Sequence, residues 1–97
     1  MTRDFIEYDE DSYDEINILG YGKREDKNIM IIGESKYQFS KKHIDQFKKV
    51  LKRVKLVKKL PIFPLFVCAV AVPKAKKYAE TEGITIYYSH QLDLISV

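Results

Sequence analysis

The feature that most constrains the fold is a helical pattern between Ser40 and Pro61. Apolar residues recur there at the three- and four-residue spacing that places them on one face of an α-helix. They are Ile44, Phe47, Val50, Leu51, Val54 and Val57. Ser40 is a favourable N-cap, and Pro61 cannot continue a helix. The sequence therefore predicts one long amphipathic helix between these two residues.

The segment before this helix has the alternation of a β-strand. Residues 13–21 place Ile16 and Ile18 on one face and Glu15 and Asn17 on the other. Because side chains two residues apart on a strand share a face, the two polar residues are expected to project together.

A second strand is predicted directly before the helix. Residues 28–36 are almost continuously apolar and end in charged residues, which is typical of a central strand covered on both faces. The polar residues 23–28 predict a hairpin loop between the two strands, and residues 4–8 predict an edge strand.

The chain after Pro61 predicts a strand, a helix and another strand. Residues 65–71 and 84–88 have strand composition, Pro73 suits a first helical turn, and Gly83 suits a C-cap. Such a unit implies a right-handed crossover between parallel strands. The predicted fold class is α/β, with a mixed β-sheet of antiparallel hairpin strands and a strand-helix-strand crossover, flanked by helices.

Length and composition favour one domain over residues 1–97. A domain this short buries a smaller share of its surface than a larger one, so a homodimer is one possible state. Cys68, the single cysteine, has no partner for an internal disulfide and is interpreted as a small buried hydrophobe. The apolar stretch 60–73 is too short to span a bilayer, and residues 1–15 lack the features of a secretory signal. We therefore expect a cytoplasmic protein with no membrane contact.

The net charge of +3 is unevenly distributed. Residues 4–15 hold seven acidic residues and no basic one, whereas residues 41–59 hold nine basic residues and one acid. At about 100° per residue, five lysines fall on one stripe of the predicted helix: Lys41, Lys48, Lys52, Lys55 and Lys59. This lysine stripe could follow a phosphate backbone with salt-sensitive, sequence-independent affinity. The alternative is a solvated lysine-rich face.

Polar side chains of the two hairpin strands are candidates for a metal site. Glu34 and Lys36 project together from the charged end of one strand, and Glu15 and Asn17 from its partner. Oxygen ligands of this kind suit Mg²⁺, and Ser35 is a further candidate ligand. Lys36 would add positive charge beside an attacked phosphate.

The order of these motifs resembles the PD-(D/E)XK nuclease superfamily. The resemblance rests on residues 15–18, a short loop, residues 31–36, the amphipathic helix and the strand-helix-strand tail. It covers residues 13–89 and is closest to small archaeal members of uncertain function, then to Holliday-junction resolvases and restriction endonucleases. It implies a restriction-endonuclease-like core in which Glu34 and Lys36 match the E-x-K pair.

The resemblance also implies a chemistry and its limits. Asn17 stands where the family's metal-binding aspartate usually stands, and Glu15 has the parity to substitute for it. The expected function is cleavage of DNA by an endonuclease that uses Mg²⁺ or Mn²⁺ held by Glu34, Glu15 and Asn17. The alternative, which Asn17 favours, is a non-catalytic nucleic-acid-binding or oligomerisation module.

Two polar residues of the helix receive no role from the sequence. Gln46 lies where related nucleases often carry a supporting polar residue, but it lacks a spacing partner and is interpreted as ordinary surface. His43 and His90 do not have the spacing of zinc ligands.

Overall fold

The chain forms five strands and two helices in the computed structural model, which describes residues 2–89. In chain order they are β1 (Thr2–Glu7), β2 (Tyr13–Arg24), β3 (Lys27–Phe39), α1 (Lys41–Lys58), β4 (Ile62–Ala71), α2 (Pro73–Thr81) and β5 (Thr85–Tyr88). The strands make one sheet in the order β1-β2-β3-β4-β5. β1, β2 and β3 are antiparallel, whereas β3, β4 and β5 are parallel. The predicted mixed α/β architecture is confirmed.

Both helices cover the same face of the sheet. α1 joins β3 to β4, and α2 joins β4 to β5, so each completes a crossover between parallel neighbours. The helices touch each other, since the Tyr78 hydroxyl donates to Asp45 and Lys48 pairs with Glu82. The apolar run of β3 predicted that both of its faces are covered. Among residues 2–89, helices cover only one of them. Successive right-handed crossovers place their helices on one side of a sheet, which explains the difference.

The core lies between this sheet face and α1. Phe66 stacks on Phe39 with ring centroids 5.0 Å apart and meets Phe47 edge-on at 4.9 Å. Cys68 is buried among these apolar residues, as predicted. Val57, which the pattern assigned to the apolar face of α1, is 47% exposed. At about 100° per residue it lies at the margin of that face, which explains the error.

The hairpin between β2 and β3 is tighter than the sequence predicted. Glu25 and Asp26 form its two-residue turn, with φ of 52° and 64°. Two positive φ values define a turn whose twist matches that of the strands. The predicted loop over residues 23–28 is therefore wrong at its ends, because Lys23 pairs with Asn28 in the ladder. Exposed polar side chains do not prevent strand pairing at the tip of a hairpin.

An extra residue interrupts β2 where it passes β1. Thr2 pairs with Leu19, but Asp4 pairs with Ile16, so three steps on β2 match two on β1. This β-bulge reverses the parity of the strand. Ile16 and Leu19 both enter the core, while Ile18 pairs with Gly33 on the opposite face. The prediction that Ile16 and Ile18 share a face is wrong for this reason.

The remaining elements follow the sequence closely. Ser40 is the N-cap of α1, as predicted, and Lys59 ends the helix with φ of 52°. Pro73 opens α2 at its first turn, and Gly83 takes φ of 77° after its end. No helix among the described residues is long and apolar enough to cross a membrane.

Candidate functional site

The strands β2 and β3 separate at Ile18 and Gly33. Their pairing runs from Arg24 and Lys27 at the turn to Ile18 and Gly33, and does not continue. Beyond this point β2 pairs with β1, and β3 pairs with β4. A divergence of two neighbouring strands opens the sheet, so polar side chains there can face one another without a ladder between them. 

A small cavity lies at this opening, against the first half of α1. Its volume is about 150 Å³, and we call it the carboxylate cavity. Its lining residues are Glu15, Glu34, Lys36, His43, Gln46, Phe47 and Val50. The structure therefore brings together three of the four polar residues that the sequence predicted to converge, namely Glu15, Glu34 and Lys36.

The fourth residue, Asn17, has a different place. Its side-chain Oδ1 accepts a hydrogen bond from the backbone N–H of Ser35 at 3.3 Å. Neither Asn17 nor Ser35 is among the residues that line the carboxylate cavity. The amide thus bridges β2 and β3 where their ladder has ended, and the bulge in β2 places it there.

The positive charges near Glu34 do not offset the cost of ionising its partly buried carboxyl group. Burial raises the pKa of Glu34, while the positive charges of Lys36 and Arg3 lower it and the negative charge of Glu15 raises it further. Arg3 lies on β1 and pairs with Glu15, with Nη1 and Oε1 3.6 Å apart. A partly buried carboxylate beside a second acid favours an added cation.

The other side of the cavity carries hydrogen-bond donors. Lys36 has an ammonium group, and His43 and Gln46 have N–H groups. His43, Gln46 and Val50 recur at helical spacing on α1, which aligns them along the opening. The interpretation of Gln46 as ordinary surface missed this alignment. The spacing to His43 and Val50 was the available signal, but only the position of β2 shows which side of the helix faces the acids.

The carboxylates suit a hydrated hard cation better than a fully protein-coordinated one. Residues 2–89 contain no cluster of three or more His, Cys, Asp or Glu side chains arranged to hold a metal. Mg²⁺ commonly binds through one or two carboxylates and keeps several waters. Glu15 and Glu34 fit that requirement, whereas a structural zinc site needs four protein ligands.

The lysine stripe is divided by the structure. Lys48, Lys52 and Lys55 line an open groove of about 600 Å³, which we call the lysine groove. Its other lining residues are Leu51, Pro61, Ile62, Pro64 and Glu82. Lys41 lies 5.0 Å from the centre of the Tyr78 ring. Lys59 follows the last helical residue and leaves the stripe.

The two surfaces lie on opposite flanks of α1. At about 100° per residue, Lys48 and Lys52 are rotated by roughly 200° and 240° from Gln46. Lys48 is also held by Glu82 at 3.1 Å. The lysine groove would therefore contact a different phosphate group from the one in the carboxylate cavity.

Comparison with known proteins adds no relative to this picture. No protein-family model, curated protein or solved structure matches the chain. The function is therefore inferred from the residues of the carboxylate cavity and the lysine groove.

Proposed function

We propose that the protein is a metal-dependent nuclease of the PD-(D/E)XK type, which hydrolyses phosphodiester bonds of DNA in the carboxylate cavity. The observation that carries the proposal is the meeting of Glu15, Glu34 and Lys36 in one small cavity where two strands diverge. The order of hairpin strand, E-x-K strand, helix and parallel strand supports the family placement.

Glu15 and Glu34 would hold the cation, Mg²⁺ or Mn²⁺. When bound, the ion makes a coordinated water more acidic and offsets negative charge that develops on the phosphate. The raised pKa of Glu34, caused first by burial and opposed by Lys36 and Arg3, is consistent with a carboxylate that gains a positive partner. Arg3, which pairs with Glu15, would be displaced or would turn toward the phosphate.

Lys36 would stabilise the charge of the reacting phosphate. Lys36 lines the cavity together with Glu15 and Glu34, so a positive side chain is available beside the acids. Positive groups already oriented toward a developing negative charge lower the barrier more than mobile water does. Phe47 and Val50 provide apolar walls, which limit the water that competes for these contacts.

The lining of the cavity favours recognition of the backbone over the bases. Two carboxylates suit a cation and a lysine suits a phosphate oxygen, and phosphate groups are alike at every nucleotide. Cleavage should therefore depend weakly on sequence.

The lysine groove would hold a second part of the DNA. It lies on the far flank of α1, and a helix is about 10–12 Å across. Since a duplex advances about 3.4 Å per base pair, DNA that reaches both surfaces spans at least three or four base pairs. We also propose that the protein acts in the cytoplasm as a homodimer, which would offer one carboxylate cavity to each strand.

The proposal is tested by incubating plasmid and branched DNA with the purified protein and Mg²⁺ or Mn²⁺. Glu34→Gln and Lys36→Gln remove the two charges of the E-x-K pair. Glu7→Gln and Lys27→Gln are the matched controls, because both residues are exposed and lie outside the cavity. We expect cleavage by the parent and the controls and a loss of at least a hundredfold in the site variants. Absence of cleavage by the parent with either metal contradicts the proposal.

A second candidate is a non-catalytic nucleic-acid-binding module with the same fold. The observation that favours it is Asn17, whose amide oxygen accepts from the Ser35 N–H and brings no charge to the cavity. This candidate predicts DNA binding that weakens with salt and is unchanged in Glu34→Gln. The same samples distinguish it, since it allows binding without cleavage.

A further inference from the structure

We propose that His43 is a phosphate-binding residue of the carboxylate cavity, where its Nε2–H donates a hydrogen bond to an oxygen of the phosphodiester. The inference rests on the proposed function, because it assigns one more substrate contact to the same site. It gives a role to a residue that has no metal-ligand spacing in the sequence.

The tautomer of His43 follows from the first turn of α1. The backbone N–H of Ser40 donates to His43 Nδ1 at 3.0 Å. A backbone N–H can only donate, so Nδ1 must accept and cannot carry a proton. The proton of the neutral ring is therefore on Nε2. Capping thus fixes both the orientation of the ring and the nitrogen that acts as a donor.

This assignment excludes one role and favours another. A nitrogen that carries a proton has no lone pair for a metal, so Nε2 in this tautomer is a donor to an anion. No protein partner of Nε2–H is found among residues 2–89, whereas Nδ1 is engaged by Ser40. His43 is half-buried and lines the cavity beside Lys36 and Gln46.

The lining of the cavity divides by chemistry in the same way. Glu15 and Glu34 offer only acceptors when ionised, which suits a cation. Lys36, His43 and Gln46 offer N–H donors, which suit the oxygens of a phosphate. A phosphodiester that bridges a cation and these donors would use both halves of the cavity, and His43 is the donor whose orientation is set by the helix cap.

Two substitutions separate the donor from the cap. Glutamine is a usual N3 residue of a capping box, so His43→Gln keeps an acceptor for the Ser40 N–H and restores an N–H donor. His43→Ala loses both. Inorganic phosphate with Mg²⁺ is the probe, and the ¹⁵N shift of Nε2 in the parent is followed together with the phosphate affinity of each protein. Thermal midpoints report the capping contribution, and KM and kcat for DNA are measured in parallel.

We expect phosphate to shift the Nε2 resonance, and His43→Ala to bind phosphate and DNA tenfold or more weakly through KM. His43→Gln should stay within about threefold of the parent.

An Nε2 resonance unaffected by phosphate, or unaltered affinity in a folded His43→Ala protein, overturns the inference. The Nε2 shift is measured in the parent, so it decides the question even if His43→Ala does not fold. Phosphate binding at Nε2 without DNA cleavage supports this assignment and overturns the proposed function. Cleavage with an unchanged KM in His43→Ala supports the proposed function and overturns this assignment.

Discussion

At Glu34 the requirements of folding and of the proposed chemistry oppose each other. Burial raises the pKa of its carboxyl group, and Glu15 raises it further, although Lys36 and Arg3 act in the opposite direction. A carboxyl group with a raised pKa in the folded state destabilises the fold once it ionises. The side chain is nevertheless placed at the cavity with a second acid, which is common where a protein holds a cation.

We predict that Glu34→Gln stabilises the protein at pH 7 and not at pH 3. The unfolded chain ionises Glu34 near the ordinary value of 4.5, whereas the folded protein does so at higher pH. The cost is therefore absent below that value, where both states are protonated, and grows as the pH rises through the folded pKa. Thermal unfolding in the presence of a chelator at both pH values measures it. An equal or lower midpoint at pH 7, with exposed Glu7→Gln as control, contradicts the explanation.

The residues of the site show what strand parity can and cannot predict. Glu34 and Lys36 were placed correctly because β3 is regular on both sides of Gly33. Asn17 was not, because the bulge in β2 adds one residue, and no glycine or proline marks it in the sequence. A one-residue change in register turns every following side chain to the other face.

Among the elements, α1 and β2 are joined by an ion pair between Arg53 and Asp14. Asp14 accepts two hydrogen bonds from Arg53, at 2.8 and 2.9 Å, and a third from the Tyr8 hydroxyl. The hydrogen bond from Arg53 is the main reason that the pKa of Asp14 is lowered, while burial opposes it. For Tyr8, burial and the bond to Asp14 raise the pKa to about 12. This pair joins the helix that lines the cavity to the strand that carries Glu15.

We predict that Asp14→Asn lowers the free energy of unfolding by about 1 kcal/mol at pH 7, since a charged hydrogen bond is lost and Arg53 is half exposed. A lowered folded pKa contributes stability above the unfolded value of 3.8, and this is lost as the pH falls through the folded pKa. The difference from the parent should therefore shrink in acid. Urea unfolding at pH 7 and pH 2.5 checks this, with exposed Asp11→Asn as the control. A difference independent of pH would refute the role of the charge.

Gly33 allows the strands to approach closely on the face opposite α1. A Cβ at this position would lie 2.7 Å from Leu65 Cδ1 and 3.1 Å from Ile18 Cβ. We predict that Gly33→Ala destabilises the protein by about 1–3 kcal/mol, because added volume in a packed place displaces neighbours. Gly22→Ala is the matched control in the same sheet, since its nearest neighbour would be Ile31 Cδ1 at 4.0 Å. Equal unfolding free energies of the two variants would exclude the packing explanation.

The elements were more predictable than their ends. Helical periodicity predicted α1, and β-branched and aromatic composition predicted β5. The turn at Glu25 and Asp26 was not predictable as a two-residue turn, because neither residue is a glycine or asparagine, the usual signals of positive φ. The true turn therefore lay inside a longer polar segment. Tertiary pairing decided where the strands end.

Across the whole molecule, acidic and basic residues are concentrated in different elements. Acidic residues lie on β1 and the turn after it, and basic residues lie along α1. Part of the basic set is used within the fold, since Lys48 pairs with Glu82 and contacts the Tyr78 ring. Lys52 and Lys55 are exposed in the lysine groove, so they are the lysines most available to a phosphate backbone.

We predict that the double variant Lys52→Gln and Lys55→Gln weakens DNA binding on the order of tenfold and makes it less sensitive to salt. Each lost phosphate contact removes about 0.9 from the slope of log affinity against log salt. The slope should fall by about 1.8. Fluorescence anisotropy with labelled duplex over a salt series measures both. The exposed pair Lys23 and Lys27, substituted in the same way, is the control, and an equal effect there would mean that net charge alone matters.

The proposed function requires a cation bound between Glu15 and Glu34. Paramagnetic broadening by Mn²⁺ in an amide-resolved NMR spectrum of the whole chain locates the ion without requiring activity. We predict that residues around 15, 34 to 36 and 43 to 46 broaden first, and that Glu34→Gln abolishes this selectivity. Broadening that begins instead in the acidic turn at residues 9–11, with the cavity unaffected, would contradict the account.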